Sequence, residues 1–239
     1  MRPISSKSIP PTLLVLFLLS ILSLGSLTCA IPASDQAGAR AEEARQLNRK
    51  AIELQSKGDL NGALKLYRQA IALNPKGGAY HNNLAVLLKE MRSYQEAEKE
   101  ARIALALKPG RPDYFYNLGL ILTKLSKYDE AEEQLQKAIK INPSDIGSRY
   151  LLAKSLLELS RYEEAEKEIK LAILLQPQDS RFHTLLGDVY YRTNQKENAL
   201  YEYKKALSGD PSDAGNGNLK QRVKYLEKLF SAGSGSERD

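Results

Sequence analysis

The sequence predicts an all-α fold: a solenoid of five 34-residue helix–turn–helix repeats, closed by a carboxy-terminal capping helix. Three observations carry this. Pro75, Pro109, Pro143, Pro177 and Pro211 stand 34 residues apart. Twelve residues before each lies an alanine: Ala63, Ala97, Ala131, Ala165 and Ala199. Five residues before each lies another: Ala70, Ala104, Ala138, Ala172 and Ala206. A fixed period of this length marks a stacked helical hairpin that cannot bury its apolar face alone. Placing each proline at position 32 of its unit gives units 44–77, 78–111, 112–145, 146–179 and 180–213.

The chain opens with Arg2 and Lys7, followed by an uncharged stretch rich in leucine over 13–27. A basic start, an apolar centre and small residues near a cut are the layout of an export signal. The expected signal or membrane anchor spans 1–30, with cleavage after Ala30. Two other readings stay open: retention of the stretch as an anchor, since about 20 apolar residues span a bilayer, and acylation of Cys29. In each, the basic flank stays inside and the repeats lie beyond the membrane. Localisation is therefore expected to be extracytoplasmic, in a bacterial periplasm or envelope, secreted or membrane-anchored. Residues 31–43 are read as a linker and the start of the first helix.

Within each unit, positions 4, 7, 8 and 11 fall on one helical face, and positions 20, 24, 27 and 28 on another. Position 8 is Ala51, Ala85, Gly119, Ala153 and Gly187. Small residues there and at position 20 let the two helices approach, and a leucine such as Ala131→Leu would force them apart. Position 17 carries Leu60, Tyr94, Tyr128 and Tyr162, read as packing between neighbouring helices. Each proline ends a second helix, because it cannot donate the next hydrogen bond. Over 214–230, Leu219, Val223, Leu226, Leu229 and Phe230 form one apolar stripe. This is the expected cap, covering the last unit. The 212–218 stretch before it is expected to be flexible and the 231–239 tail disordered.

Composition excludes several classes. The net charge is +6, but acids and bases alternate along the repeats, so no nucleic-acid stripe is read. One cysteine forbids an internal disulfide and any zinc site built from paired cysteines. His81 and His183 both occupy position 4, three units apart, and are assigned to packing rather than to a shared metal. Gly215-Asn216-Gly217 lacks the strand and spacing of a phosphate loop. No cofactor and no catalytic constellation is read, and the chain is expected not to be an enzyme.

Phe115-Tyr116-Asn117-Leu118-Gly119, followed by Tyr128, Ala131, Ala138 and Pro143, resembles the tetratricopeptide repeat family, and the other units share the pattern. The resemblance implies a right-handed solenoid whose first helices line a concave surface that holds a partner protein or peptide. Positions 2, 5, 6, 9, 12 and 13 would face it. The candidate groove residues are Arg49, Asn82, Asn83, Val86, Lys89, Tyr116, Asn117, Leu120, Lys124, Tyr150, Lys154 and Arg192. Asparagine offers a donor and an acceptor to an extended backbone. Tyrosine gives rigid contact area. The bases favour an acidic partner. The clamp with which some relatives grip carboxylate tails is not reproduced: Ala79, Asp113 and Asn117 stand at its positions. The expected function is a noncatalytic interaction scaffold. The alternatives are a membrane-tethered envelope assembly factor and a regulatory subunit of an extracytoplasmic enzyme complex.

Overall fold

The computed structural model describes residues 33–209 and 216–233. The expected signal, Cys29 and the ends of the 231–239 tail lie outside these. The chain divides into two units, Met1–Ala41 and Glu42–Asp239. Of the first, the described part is helical. The second holds the repeats.

Eleven α-helices and no strand occur among the described residues. The first helices of the five hairpins are α1 (Ala33–Ser56), α3 (Gly78–Glu90), α5 (Pro112–Lys124), α7 (Ile146–Glu158) and α9 (Ser180–Arg192). The second helices are α2 (Leu60–Leu73), α4 (Tyr94–Leu107), α6 (Tyr128–Ile141), α8 (Tyr162–Leu175) and α10 (Lys196–Gly209). The last helix is α11 (Asn216–Gly233). Two expectations need correction. The start of the first helix takes up 33–43, leaving little of 31–43 as linker, as the run of alanine, glutamate, arginine and glutamine favours. Helix α11 takes in 216–218 and 231–233, where a flexible stretch and a disordered tail are expected.

The small-residue positions explain the close pairing within each hairpin. All five alanines at position 20 and all five at position 27 are fully buried. Ala51, Ala85 and Ala153 at position 8 are equally buried, and Gly119 and Gly187 complete the column. A Cβ added to Gly119 would come within 2.6 Å of Leu135 Cγ. Glycine at that point is what allows leucine at position 24. Leu84, Leu118, Leu152 and Leu186 at position 7 are buried beside them. Position 17 is only partly buried, so Tyr94, Tyr128 and Tyr162 close the edge of the core rather than fill it.

Each hairpin turns at position 15, and each turn is left-handed. Gly58 has φ 84°, and Arg92, Ser126, Ser160 and Asn194 have φ between 58° and 62°. The N–H at position 16 then reaches back to the carbonyl at position 11, as in Ser93 to Leu88 at 2.8 Å and Lys127 to Leu122 at 2.9 Å. The N–H at position 15 bonds the carbonyl at position 12. This is a Schellman close, which satisfies the last carbonyls of the first helix and favours glycine. Only the first unit has one. Arg92→Gly and Ser126→Gly should therefore each stabilise the chain by about 0.5–1 kcal/mol, read as a rise in urea midpoint.

The second helices are laced by ion pairs that repeat with the units. Arg68 pairs with Glu96 at 2.7 Å, and Arg102 pairs with Glu130 one unit on. Lys127 reaches Glu98 at 2.9 Å, and Arg161 reaches Glu132 at 2.5 Å. Burial alone would raise the Glu98 carboxyl. Hydrogen bonds from Lys127 and Arg102 outweigh it and hold the group below the ordinary glutamate range. The ladder ties neighbouring units.

Candidate functional site: the first-helix face

First helices of successive units pack on one another, α3 on α5, α5 on α7 and α7 on α9. Among the described residues the second helices show no comparable contact with each other. Within the repeat unit, the first helices are thus the more crowded, inner side. Positions 5, 6, 9, 12 and 13 of these helices form its surface.

The asparagines on this face do not stand alone. Asn83 Nδ2 donates to Asn48 Oδ1 at 3.0 Å, and Asn117 Nδ2 donates to Asn82 Oδ1 at 2.9 Å. Each bond joins position 5 of one unit to position 6 of the next. Asn82, expected to face a partner, is only 8% exposed. Its carbonyl is spent on the neighbouring unit. Asn83 and Asn117 remain half-buried, each with its side-chain carbonyl left for another donor. The tyrosines also have structural work. Burial raises the Tyr116 hydroxyl pKa, and its ring lies against the start of α7 beside Gly147. The Tyr150 ring meets Phe182 edge-on at 5.8 Å. Val86, Leu120, Lys89 and Lys154 are partly buried, and Arg49, Lys124 and Arg192 are exposed.

The cations of this face lie outside the ion-pair ladder. Lys89, Lys124, Lys154 and Arg192 make no ion pair among the described residues, and Arg49 feels Glu42 only at longer range. The acids of the same face are mostly engaged. Asp113 is gripped by both arms of Arg111 at 2.8 Å, which holds its carboxyl below the ordinary range. Glu90 accepts from Gln55 at 2.9 Å, and Asp188 accepts from Tyr203 at 2.7 Å and from Arg222. Glu158 is the one inner acid without a partner among the described residues. The face thus carries a line of cations not neutralised in place.

The position-4 histidines are ties, as their burial demands. His81 Nδ1 lies 2.6 Å from Glu100 Oε2, and its Nε2 lies 3.0 Å from the Pro75 carbonyl. His183 repeats this with Glu202 at 2.7 Å and Pro177 at 3.1 Å. A carbonyl only accepts, so Nε2 carries a proton in both. Arg149 fills the same position in the fourth unit, donating to Glu168 at 2.7 Å and to the Pro143 carbonyl at 2.9 Å. Sequence reading placed the histidines in the packed stripe but missed this bridge between helix and preceding turn. A glutamate 19 residues after each of the three was the available signal.

Sequence reading also missed a pocket of about 430 Å³ where the face meets α11. It is lined by Leu157 and Glu158, by Asp188, Tyr191 and Arg192, by Tyr203, and by Gln221, Arg222 and Tyr225 of α11. Counting on by 34 would have found it. Asn218, Leu219, Arg222 and Tyr225 repeat the register of Thr184, Leu185, Asp188 and Tyr191. Helix α11 caps the last unit with a stripe of its own: it buries Leu219, Val223 and Leu226 beside Ala199, Tyr203 and Ala206, while Lys220 and Gln221 are exposed. Leu229, read as part of that stripe, is 37% exposed. Among the described residues no group of histidine, cysteine, aspartate and glutamate is placed to hold a metal ion. None of their helices is long and apolar enough to cross a membrane.

Stacked helical hairpins with one crowded inner face define an interaction solenoid. Family models agree along the array. A TPR repeat model matches 53–91, the model of anaphase-promoting complex, cyclosome, subunit 3 matches 90–172, and a tetratricopeptide repeat model matches 150–214. The chain belongs to the tetratricopeptide repeat family. No curated protein sequence matches it. Among solved structures it is similar to YrrB, described as a TPR protein with an unusual peptide-binding site. The TM-score is 0.66 at 23% identity, over 83% of this chain and 99% of YrrB. It is similar to MamA from Desulfovibrio magneticus RS-1, with TM-score 0.67 at 20% identity over 72% and 97%. It is also similar to PilF of Pseudomonas aeruginosa, with TM-score 0.66 at 21% identity over 82% and 90%. At these identities the likeness concerns the fold.

Proposed function

We propose that the chain is a noncatalytic scaffold that holds an extended, acidic segment of a partner protein along its first-helix face, outside the cytoplasm. The observation that carries this is a line of first-helix cations with no acid partner of their own. Arg68, Arg102, Lys127 and Arg161 of the ladder are neutralised by glutamates of neighbouring units. Lys89, Lys124, Lys154 and Arg192 on the first helices have no such partner, and Lys89 and Lys154 are already partly out of water. A carboxylate arriving there gains attraction without first breaking an ion pair. Asn83 and Asn117, with one oxygen each to spare, supply acceptors for a partner backbone. A peptide-binding site in YrrB, on a similar fold, agrees with this use.

A labelled ten-residue peptide alternating glutamate with small residues is the probe. The combined change Lys89→Glu, Lys124→Glu and Lys154→Glu should weaken its binding at least about tenfold, a loss of about 1.4 kcal/mol. Lys137→Ala on the second-helix side, where Lys137 pairs with Glu133, should leave it unchanged. Equal affinity for the triple variant would reject the reading. The location rests on Arg2, Lys7 and the apolar 13–27 stretch. It is tested by terminal sequencing: a mature end near Ile31 is expected, and an intact Met1 on cytosolic protein would overturn it.

A further inference from the structure

We propose that the pocket at the α9–α11 end of the first-helix face receives an aromatic side chain of the bound segment. This rests on the groove reading and adds an anchor to it. Aromatic rings frame the pocket: Tyr191 and Tyr225 are 42% and 56% exposed, while Tyr203 is buried at 1%. Exposed tyrosines from α9 and α11, 34 residues apart and both lining the pocket, leave two ring surfaces for a third ring.

The charges inside are already satisfied. Arg222 pairs with Asp188 and lies 5.7 Å over the Tyr203 ring, and the Tyr203 hydroxyl donates to Asp188. Burial and the Asp188 carboxylate push that hydroxyl's pKa upward, so it stays a donor. An ionic side chain entering the pocket would have to compete with this triad, whereas a neutral ring would not. The free charges, Arg192 and Glu158, belong to residues whose side chains are exposed. Arg192 continues the cation line of Lys89, Lys124 and Lys154 up to the pocket. An acidic segment following that line ends with its next side chain over Tyr191 and Tyr225. At about 430 Å³ the space lies near the small end of ligand pockets. It suits one large side chain and its flanking backbone, not a helix about 10 Å across.

The test uses the full chain and a neutral probe, so that it does not depend on the lysines. N-acetyl-phenylalaninamide is titrated while the ring resonances of Tyr191 and Tyr225 are followed by NMR, with N-acetyl-alaninamide as the comparison. The aromatic probe should shift both tyrosines, and the alanine probe should not. Tyr225→Ala should abolish the shift at Tyr191, and Tyr225→Phe should keep it. Both positions are exposed, so the fold is not at stake. In the acidic peptide, one phenylalanine should raise affinity about tenfold, and that gain should vanish in Tyr225→Ala. No shift with the aromatic probe, or a gain that survives Tyr225→Ala, overturns the anchor. The groove reading fails separately, when the acidic peptide ignores the lysine reversals.

Discussion

Phe182→Ala is expected to destabilise the chain by about 3–5 kcal/mol, the range for removing a large aromatic from a packed interior. Phe182 is fully buried at position 3 of α9 and meets Tyr150 edge-on across the fourth and fifth units. Its loss removes packing area and the ring contact together. A solenoid unit touches only its neighbours, so the damage should be local. Amide exchange should quicken first in α9, α10 and α11, while α3 to α6 keep their protection. A uniform loss of protection would show that the units do not couple as described.

Gly187→Ala is the second large effect, and its sign is the informative part. In an open helix interior, replacing glycine by alanine gains about 1 kcal/mol. Here a Cβ would land against Cδ1 and Cε1 of Tyr203, closer than real Cβ atoms come. The Tyr203 ring is buried and held by its hydroxyl's bond to Asp188 and by Arg222 over its face. A net loss of about 1–3 kcal/mol is expected, typical of overpacking. Pairing the change with Tyr203→Ile copies the Ala153 and Ile169 combination of the fourth unit. The double variant should be less unstable than the two single losses added together. Thermal or urea midpoints for the four proteins decide it.

Much of the architecture was legible in the sequence because a period of 34 repeats every packing decision five times. The alanines at positions 20 and 27 mark the helix–helix contacts, and every one is fully buried. The prolines mark the hairpin boundaries. What could not be read there depends on conformation rather than residue type. The left-handed turn at position 15 is held by a glycine, an arginine, two serines and an asparagine, so no one residue type marks it. Only the closing hydrogen bonds reveal it.

The candidate face was legible in part. Periodicity placed the lysines and asparagines on one side, but it could not show how each is occupied. Asn82 gives its oxygen to Asn117, so a residue expected to meet a partner instead joins two units. The pocket was missed for another reason. Arg222 and Tyr225 stand 34 residues after Asp188 and Tyr191, but the different apolar stripe of the capping helix conceals that spacing.

The central claim is that partners dock on the first helices, guided by cations with no partner of their own. Mapping backbone amide shifts on adding the acidic peptide tests it most directly. Shifts are expected along α3, α5 and α7, centred near Lys89, Lys124 and Lys154 and reduced as salt rises. Shifts confined to α4, α6 and α8, where the ion-pair ladder runs, would contradict it.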